Sequence, residues 1–135
     1  RDLHHQMFNK TWKWAGTFRQ SNKNIGVDWS QVSVKLRELL HNTRYQIEHQ
    51  IFNEDELAVR FHHQLVLIHA FANGNGRHAR LLADLLIMRL GRPRLTWGGA
   101  SESHTSSEVV RQKYLVALRT ADQGQIDGLI EFARS

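Results

Sequence analysis

The residues best suited to chemistry lie together in one short stretch, HAFANGNGRHAR, which begins at His69. This imidazole precedes a turn that contains Gly74 and Gly76, and two guanidinium groups, Arg77 and Arg80, follow the turn. Histidine titrates near ~6.5 and suits proton abstraction at neutral pH. Free backbone N–H groups at the start of a helix attract anions. The stretch therefore predicts a general base beside a phosphate-binding turn.

The two arginines occupy an unusual place on the predicted helix. Arg77, Arg80 and Asp84 are spaced i, i+3 and i+7, so they lie within roughly 60° of one another around a helix. Two cations in a first turn oppose the helix dipole, and a bound anion would remove that conflict through charge-assisted contacts. The alternative is an ordinary tight loop in which Arg80 pairs with Asp84.

Three other interpretations fit the same residues less well. The letters GNGRHA match the G-x-G-x-x-A pattern of dinucleotide-binding folds, but that pattern needs a strand before it and a second strand after it. The preceding segment has helical periodicity instead. His69 could also be a buried core histidine, and His62, His63 and His69 lack the spacing of a zinc-binding helix. We therefore expect neither a Rossmann site nor a zinc site.

Apolar periodicity predicts a mostly helical chain around this turn. Helices are expected from about residue 30, from a capping box of Asn53 and Glu56, from about 76 to 90, from Thr105 to about 124, and from about 126 to 133. Two short β-leaning pieces between Thr17 and Val27 predict a small hairpin. The expected fold class is all-α, with this one β-hairpin near the N-terminus.

Composition limits the classes of function. We expect one domain over residues 1–135 that lacks an upstream segment, because the chain begins at Arg1 rather than Met. The absence of cysteine excludes disulfides and thiolate metal sites. No apolar run reaches the ~18 residues of a bilayer span, so we expect a cytoplasmic protein without a membrane partner. The charge of +5 favours anionic partners, although the scattered basic residues make nucleic acid a secondary interpretation.

The stretch resembles the signature of Fic (Fic/Doc) domain proteins, H-x-F-x-[D/E]-G-N-G-R-x-x-R. Seven of the eight specified positions match within residues 69–80. The letters WAGTFR at 14–19 are similar to the start of the family's β-hairpin flap, and YLVAL at 114–118 is similar to its C-terminal nucleotide-side helix. The resemblance covers most of the chain, which is similar to the mobile-element-associated branch called mobile mystery protein B. The family resemblance also implies a toxin-like role.

The resemblance implies a compact helical bundle that transfers AMP from ATP to a Ser, Thr or Tyr hydroxyl of a target protein. It implies that His69 accepts the proton of the attacking hydroxyl and that Phe71 anchors the loop. The phosphate-binding positions are Gly74, Asn75, Gly76, Arg77 and Arg80, and the adenosine-pocket positions are Tyr114, Leu118 and Asp122. The flap positions, which would present a strand edge to the target, are Thr17, Phe18, Arg19, Ile25, Gly26 and Val27.

One position departs from the family pattern. Asn73 stands where the family usually has the Asp or Glu that holds Mg²⁺, a cation that prefers anionic oxygen ligands. Three consequences stay open: Mg²⁺ binds more weakly through phosphates, water and Asn73; another acid, such as Asp84, assists; or the protein binds nucleotide without transferring AMP.

The family's inhibitory pattern, [S/T]-x-x-x-E-[G/N], does not occur in the sequence. An inhibitor would therefore be an upstream helix or a partner antitoxin, or would not exist. The leading hypothesis is an enzyme, a protein adenylyltransferase that uses ATP and Mg²⁺. The alternatives are a degenerate module that binds nucleotide or a partner, a phosphotransferase or other nucleotide transferase, and a basic nucleic-acid-binding helical domain.

Overall fold

A computed structural model describes residues 1–99 and 106–135. Its helices are α1 (Asp2–Phe8), a 3-10 turn (Trp29–Gln31), α2 (Val32–Glu48), α3 (Glu54–Ile68), α4 (Asn75–Arg89), α5 (Ser107–Asp122) and α6 (Asp127–Arg134). No strand occurs within these two ranges, so the expected all-α class is confirmed. None of the described helices is long and apolar enough to cross a bilayer.

Two of the helix starts test the capping predictions. Asn53 begins α3 as expected, because its Oδ1 accepts the Glu56 N–H at 2.9 Å. The other proposed cap, Thr105, lies outside the described residues. The described cap of α5 is Ser106, whose Oγ accepts the Val109 N–H at 3.2 Å.

The central helix of the bundle is α3, which packs against α2, α4 and α6. Alanines line much of the contact with α4: Ala58 and Ala83 are fully buried, and Ala79 is nearly so. Small side chains at these positions let the two helix backbones approach closely. The packing of α3 on α4 fixes how the end of one helix faces the start of the next.

The β-hairpin predicted near the N-terminus is wrong. The Arg19 N–H donates to the Ala70 carbonyl at 3.0 Å, and the Val27 N–H donates to the Ile68 carbonyl at 3.4 Å. The backbone N–H groups of the two limbs thus donate to the end of α3 and to the loop after it, and among these described residues no backbone hydrogen bond joins one limb to the other. The residues assigned to hairpin strands, Thr17, Phe18, Arg19, Ile25, Gly26 and Val27, are irregular.

The physical reason is the buried Arg19 side chain. Its guanidinium group donates to the carbonyls of Val27, Ile68 and His69 and, at 3.0 Å, to the Ser21 carbonyl. An arginine that is only 4% exposed needs such acceptors, because an unpaired buried charge is costly. These hydrogen bonds hold the segment against the end of α3. The two limbs therefore do not lie side by side as paired strands.

A second arginine fastens the C-terminal helix. Arg134 donates from Nε and Nη2 to the two carboxylate oxygens of Asp55 at 2.8 and 2.6 Å, and from Nη1 to the Pro93 carbonyl at 2.8 Å. The hydrogen bonds from Arg134 lower the pKa of Asp55, so the carboxylate stays ionised. This pair joins α6 to the first turn of α3.

We predict that Arg134→Ala lowers the free energy of unfolding by about 2 kcal/mol, because several charge-assisted hydrogen bonds are lost and Asp55 is left without its main partner. Urea unfolding at pH 7 measures the change. The control is Lys35→Ala, which removes an exposed i, i+3 pair with Glu38 and should cost less than about 0.5 kcal/mol. Equal losses in the two variants would contradict the role given to Arg134.

Candidate active site

His69 ends α3 in the left-handed conformation, with φ 54° and ψ 61°. This conformation is unfavourable for a residue with a Cβ, and its neighbours hold it in place. Arg19 Nε donates to its carbonyl, and Gly26 packs against its side chain. A Cβ on Gly26 would lie 2.7 Å from the His69 Cβ. The direction of the imidazole is therefore set by the segment that wraps around it.

The imidazole of His69 is suited to accepting a proton. Partial burial lowers its pKa, and the positive charges of Arg19 and Lys23 lower it further. The neutral ring is therefore the main form at pH 7. Its side chain is half-buried, and no described residue hydrogen-bonds to its nitrogens.

The loop after His69 is closed by an amide side chain. Asn75 Oδ1 accepts the Phe71 N–H at 2.9 Å, and Asn75 Nδ2 donates to the Phe71 carbonyl at 2.8 Å. Phe71 itself is 1% exposed and lies in a core cluster with Ile68 and Ala70. Because both polar atoms of the Asn75 side chain are engaged, only its backbone N–H remains for a ligand.

The two glycines of the turn meet different requirements. Gly74 has φ 77°, and a Cβ there would lie 2.7 Å from the Phe8 ring and 3.2 Å from the Trp12 ring. The fold therefore needs glycine at this position. A Cβ on Gly76 would meet nothing within 4 Å. Gly76 leaves open space above the first turn of α4, and no protein contact explains it.

The start of α4 has no side-chain cap, since its N-cap is Gly74. The first intrahelical hydrogen bond joins the His78 N–H to the Gly74 carbonyl at 2.9 Å. The N–H groups of Asn75, Gly76 and Arg77 therefore have no intrahelical acceptor. These N–H groups and the positive end of the helix dipole are therefore available to an anion.

Two arginines flank these N–H groups. The Arg77 guanidinium is exposed and lies 4.7 Å from the centre of the Phe8 ring. The Arg80 guanidinium lies 4.2 Å from the centre of the Tyr114 ring. The Arg80 Nε is buried without a hydrogen-bond partner. In the described ranges, neither guanidinium forms an ion pair with a carboxylate.

The alternative pairing of Arg80 with Asp84 is wrong. Asp84 is 2% exposed, and its oxygens accept from Arg94 Nε at 3.0 Å and from Trp97 Nε1 at 2.9 Å. The carboxylate lies on the buried side of α4 and holds the segment after that helix. Arg80 is left with aromatic surfaces and no counter-charge from α4.

The three candidate adenosine residues divide between two places. Tyr114 lies beneath Arg80, and its hydroxyl is 2.7 Å from the buried His62 Nε2. Leu118 is partly buried against the core cluster that includes Tyr114. Asp122 accepts from His63 Nε2 at 2.8 Å. Tyr114 is therefore the candidate that lies against a motif arginine, Arg80.

The histidines before His69 are engaged elsewhere. His62 pairs with Tyr114 and is fully buried, which lowers its pKa to about 3. His63 pairs with Asp122 on α5. Among the described residues, no cluster of three metal-binding side chains forms.

Sequence reasoning missed one residue that contacts the loop. His4 is completely buried, and its Nε2 lies 3.0 Å from the Asn73 carbonyl oxygen. The two residues are far apart in the sequence, and α1 has no recognisable motif. No signal in a single sequence relates His4 to the loop.

Comparisons with known proteins bear on the family and the fold of the chain. The sequence profile of the Fic/DOC family matches residues 1–87. The chain belongs to the Fic/DOC family. The protein adenylyltransferase Fic of Aedes aegypti is 35% identical over 82 residues, which cover 61% of this chain and 15% of that protein. The Culex quinquefasciatus protein of the same name is 34% identical over 94 residues, which cover 70% of this chain and 15% of that protein. The Fic chain thus aligns with a small part of these relatives.

Solved Fic structures share the fold. Fic-1 from C. elegans (residues 134–508) superposes with a TM-score of 0.78 at 24% identity, covering 98% of this chain and 38% of that one. A Fic domain containing signaling protein from Bacteroides thetaiotaomicron gives a TM-score of 0.73 at 20% identity, and the superposition covers 99% of this chain and 51% of that one. At these identities the likeness concerns the fold alone.

We predict opposite effects on stability for alanine at the two glycines of the turn. Gly74→Ala lowers the free energy of unfolding by at least about 2 kcal/mol, from left-handed strain and the clash with Phe8. Gly76→Ala raises it by up to about 1 kcal/mol, since alanine favours the helix. The added methyl group of Gly76→Ala also weakens binding of inorganic pyrophosphate. Urea unfolding and calorimetry measure these changes. Equal destabilisation in both variants would show that the fold itself needs Gly76.

Proposed function

We propose that this Fic domain is a protein adenylyltransferase that transfers AMP from ATP to a Ser, Thr or Tyr hydroxyl of a target protein. One observation carries the proposal: a neutral, unengaged imidazole and an uncapped helix start lie at the two ends of the same loop, residues 69–74. The relatives named protein adenylyltransferase support the reaction class.

The transfer needs one proton acceptor and a site for negative charge. The target oxygen attacks the α-phosphorus of ATP, a new P–O bond forms, and the bond to the β-phosphate breaks to release pyrophosphate. His69 accepts the proton of the hydroxyl. The N–H groups at the start of α4 bind phosphate oxygens, and Arg77 and Arg80 neutralise the β and γ end. The arginines are available because no described carboxylate pairs with them.

The aromatic and flap residues have supporting roles in this proposal. Tyr114 lies under Arg80 and limits where its guanidinium can point. The roles of Leu118 and Asp122 as adenosine contacts stay predictions. The hydrogen bond of Asp122 with His63 argues against an adenosine contact by Asp122. Target docking through a strand edge is not proposed, since the flap has no strand. The exposed Ile25, next to the Gly26 contact with His69, is proposed to meet the target instead.

A resident Mg²⁺ does not fit the residues of the loop. Asn73 Oδ1 already accepts the Gly74 N–H at 2.7 Å, and its amide carries no charge. Mg²⁺ prefers anionic oxygen ligands. Both oxygens of Asp84, the other acid considered, are engaged by Arg94 and Trp97. Mg²⁺ therefore enters the proposal only as the counter-ion of ATP.

The second candidate function is nucleotide binding without AMP transfer, and Asn73 favours it. An anion site made of N–H groups and arginines binds polyphosphate with or without a working metal ligand. Membership of the mobile mystery protein B branch, a toxin-like setting, a cytoplasmic location, and control by an antitoxin or upstream helix stay predictions.

We predict that incubation with ATP, Mg²⁺ and an acceptor lysate adds the mass of AMP to a protein, as read by intact-mass spectrometry. His69→Ala should reduce the rate at least about 100-fold, because the general base is lost. The control is His41→Ala, which removes an exposed histidine on α2 and should leave the rate unchanged.

The other outcomes decide between the candidates. A phosphate-sized gain would indicate a phosphotransferase with the nucleotide reversed. No gain, with ATP binding intact, would support the binding module. A gain that persists in His69→Ala would contradict the role of the imidazole.

We predict that Asn73→Asp makes ATP binding depend on Mg²⁺. A carboxylate can still accept the Gly74 N–H and adds the anionic oxygen that Mg²⁺ prefers, so Mg²⁺ should tighten ATP binding by about tenfold more in the variant than in the wild type. Calorimetry with Mg²⁺ and with EDTA measures the difference. Asn73→Ser is the neutral control. Equal Mg²⁺ dependence in all three proteins would show that residue 73 does not influence the cation.

A further inference from the structure

The buried side chain of His4 makes two hydrogen bonds to distant backbone groups. The Gly16 N–H donates to its Nδ1 at 2.9 Å, and its Nε2 lies 3.0 Å from the Asn73 carbonyl oxygen. Nδ1 accepts a hydrogen bond, so it carries no proton. The Asn73 carbonyl can only accept a hydrogen bond, so Nε2 must carry the proton, and the ring is this neutral tautomer. Burial lowers the pKa of His4, which favours this neutral form.

Aromatic packing fixes the plane of the His4 ring. Its centroid lies 3.7 Å from that of Phe71, with 15° between the planes, and 4.8 Å from that of Phe8. Stacking alone does not require a histidine, because phenylalanine rings also stack on aromatic neighbours. A phenylalanine would leave the Gly16 N–H and the Asn73 carbonyl without these partners, so the histidine nitrogens account for the choice of residue.

The peptide group that accepts the His4 hydrogen bond lies directly before the first turn of α4. The Asn73 carbonyl and the Gly74 N–H belong to the same planar unit. His4 Nε2 holds its oxygen, and Asn73 Oδ1 holds its N–H at 2.7 Å. The next residues begin α4, so the orientation of this peptide sets the direction of the first free N–H groups.

We infer that His4 is a positioning residue that aims the first turn of α4 at its phosphate ligand by holding the Asn73–Gly74 peptide through Nε2–H. The inference rests on the proposed function, because the ligand is the triphosphate of ATP. His4 itself touches neither the nucleotide nor the reacting atoms. Its effect passes through the main chain of the loop.

Two partial isosteres separate the two bonds of His4. In His4→Gln the amide nitrogen can replace Nε2 and still donate to the Asn73 carbonyl, while the Gly16 bond is lost. In His4→Asn the amide oxygen can replace Nδ1 and still accept the Gly16 N–H, while the Asn73 bond is lost. Both variants lose one bond and should lose similar thermal stability. His5→Asn is the matched control, because within the described residues the His5 side chain hydrogen-bonds only to the Ala15 carbonyl, with 3.1 Å from Nδ1 to the oxygen.

The test measures ATP affinity by calorimetry and loop opening by hydrogen exchange of residues 73–77. We expect His4→Asn to raise the Kd for ATP about tenfold, because the N–H groups that bind the phosphates are then misplaced. The same variant should speed hydrogen exchange of the loop. We expect His4→Gln and His5→Asn to stay within about threefold of the wild-type Kd. Equal Kd changes in the two His4 variants would overturn the inference and indicate general packing.

The exchange measurement separates this inference from the proposed function. If the wild type does not bind ATP, the proposed function fails. Faster loop exchange in His4→Asn than in His4→Gln would still support positioning by Nε2–H. Equal exchange in both variants would overturn it.

Discussion

The structure depends on a loop of six residues, 69–74, that joins two helices through a left-handed residue at each end, His69 and Gly74. Left-handed turns end α3 and begin α4 without a side-chain cap, so the helix starts with free N–H groups. Distant side chains hold the loop: Arg19 bonds the His69 carbonyl and His4 bonds the Asn73 carbonyl. His69 and the free N–H groups of α4 therefore share one fixed piece of backbone.

Local patterns were sufficient for the helices and for the places of His69, Arg77 and Arg80 along them. The Asn53 cap, the apolar spacing and the glycines after His69 act over a few residues, and the helices begin and end close to where those signals place them. The motif was also sufficient to place His69 and the two arginines around one turn. These are short-range consequences of chain geometry.

The errors come from contacts between residues far apart in the sequence. The β-leaning letters before Val27 predicted a hairpin, but Arg19 takes its acceptors from the end of α3 and binds both limbs there. The i, i+4 spacing allowed Arg80 to pair with Asp84. The Asp84 carboxylate is buried, however, and accepts hydrogen bonds from Arg94 and Trp97 instead. His4 carries no local signal at all. Each outcome depends on packing that a single sequence does not display.

The most direct test of the central claim is a titration of the isotope-labelled protein with ATP, followed by the backbone amide resonances. We expect the N–H resonances of Asn75, Gly76 and Arg77 to shift the most and to saturate together, because these groups bind the phosphates. Saturable shifts confined to other parts of the chain would contradict it, as would unmoved amides at the start of α4 in a protein that binds ATP.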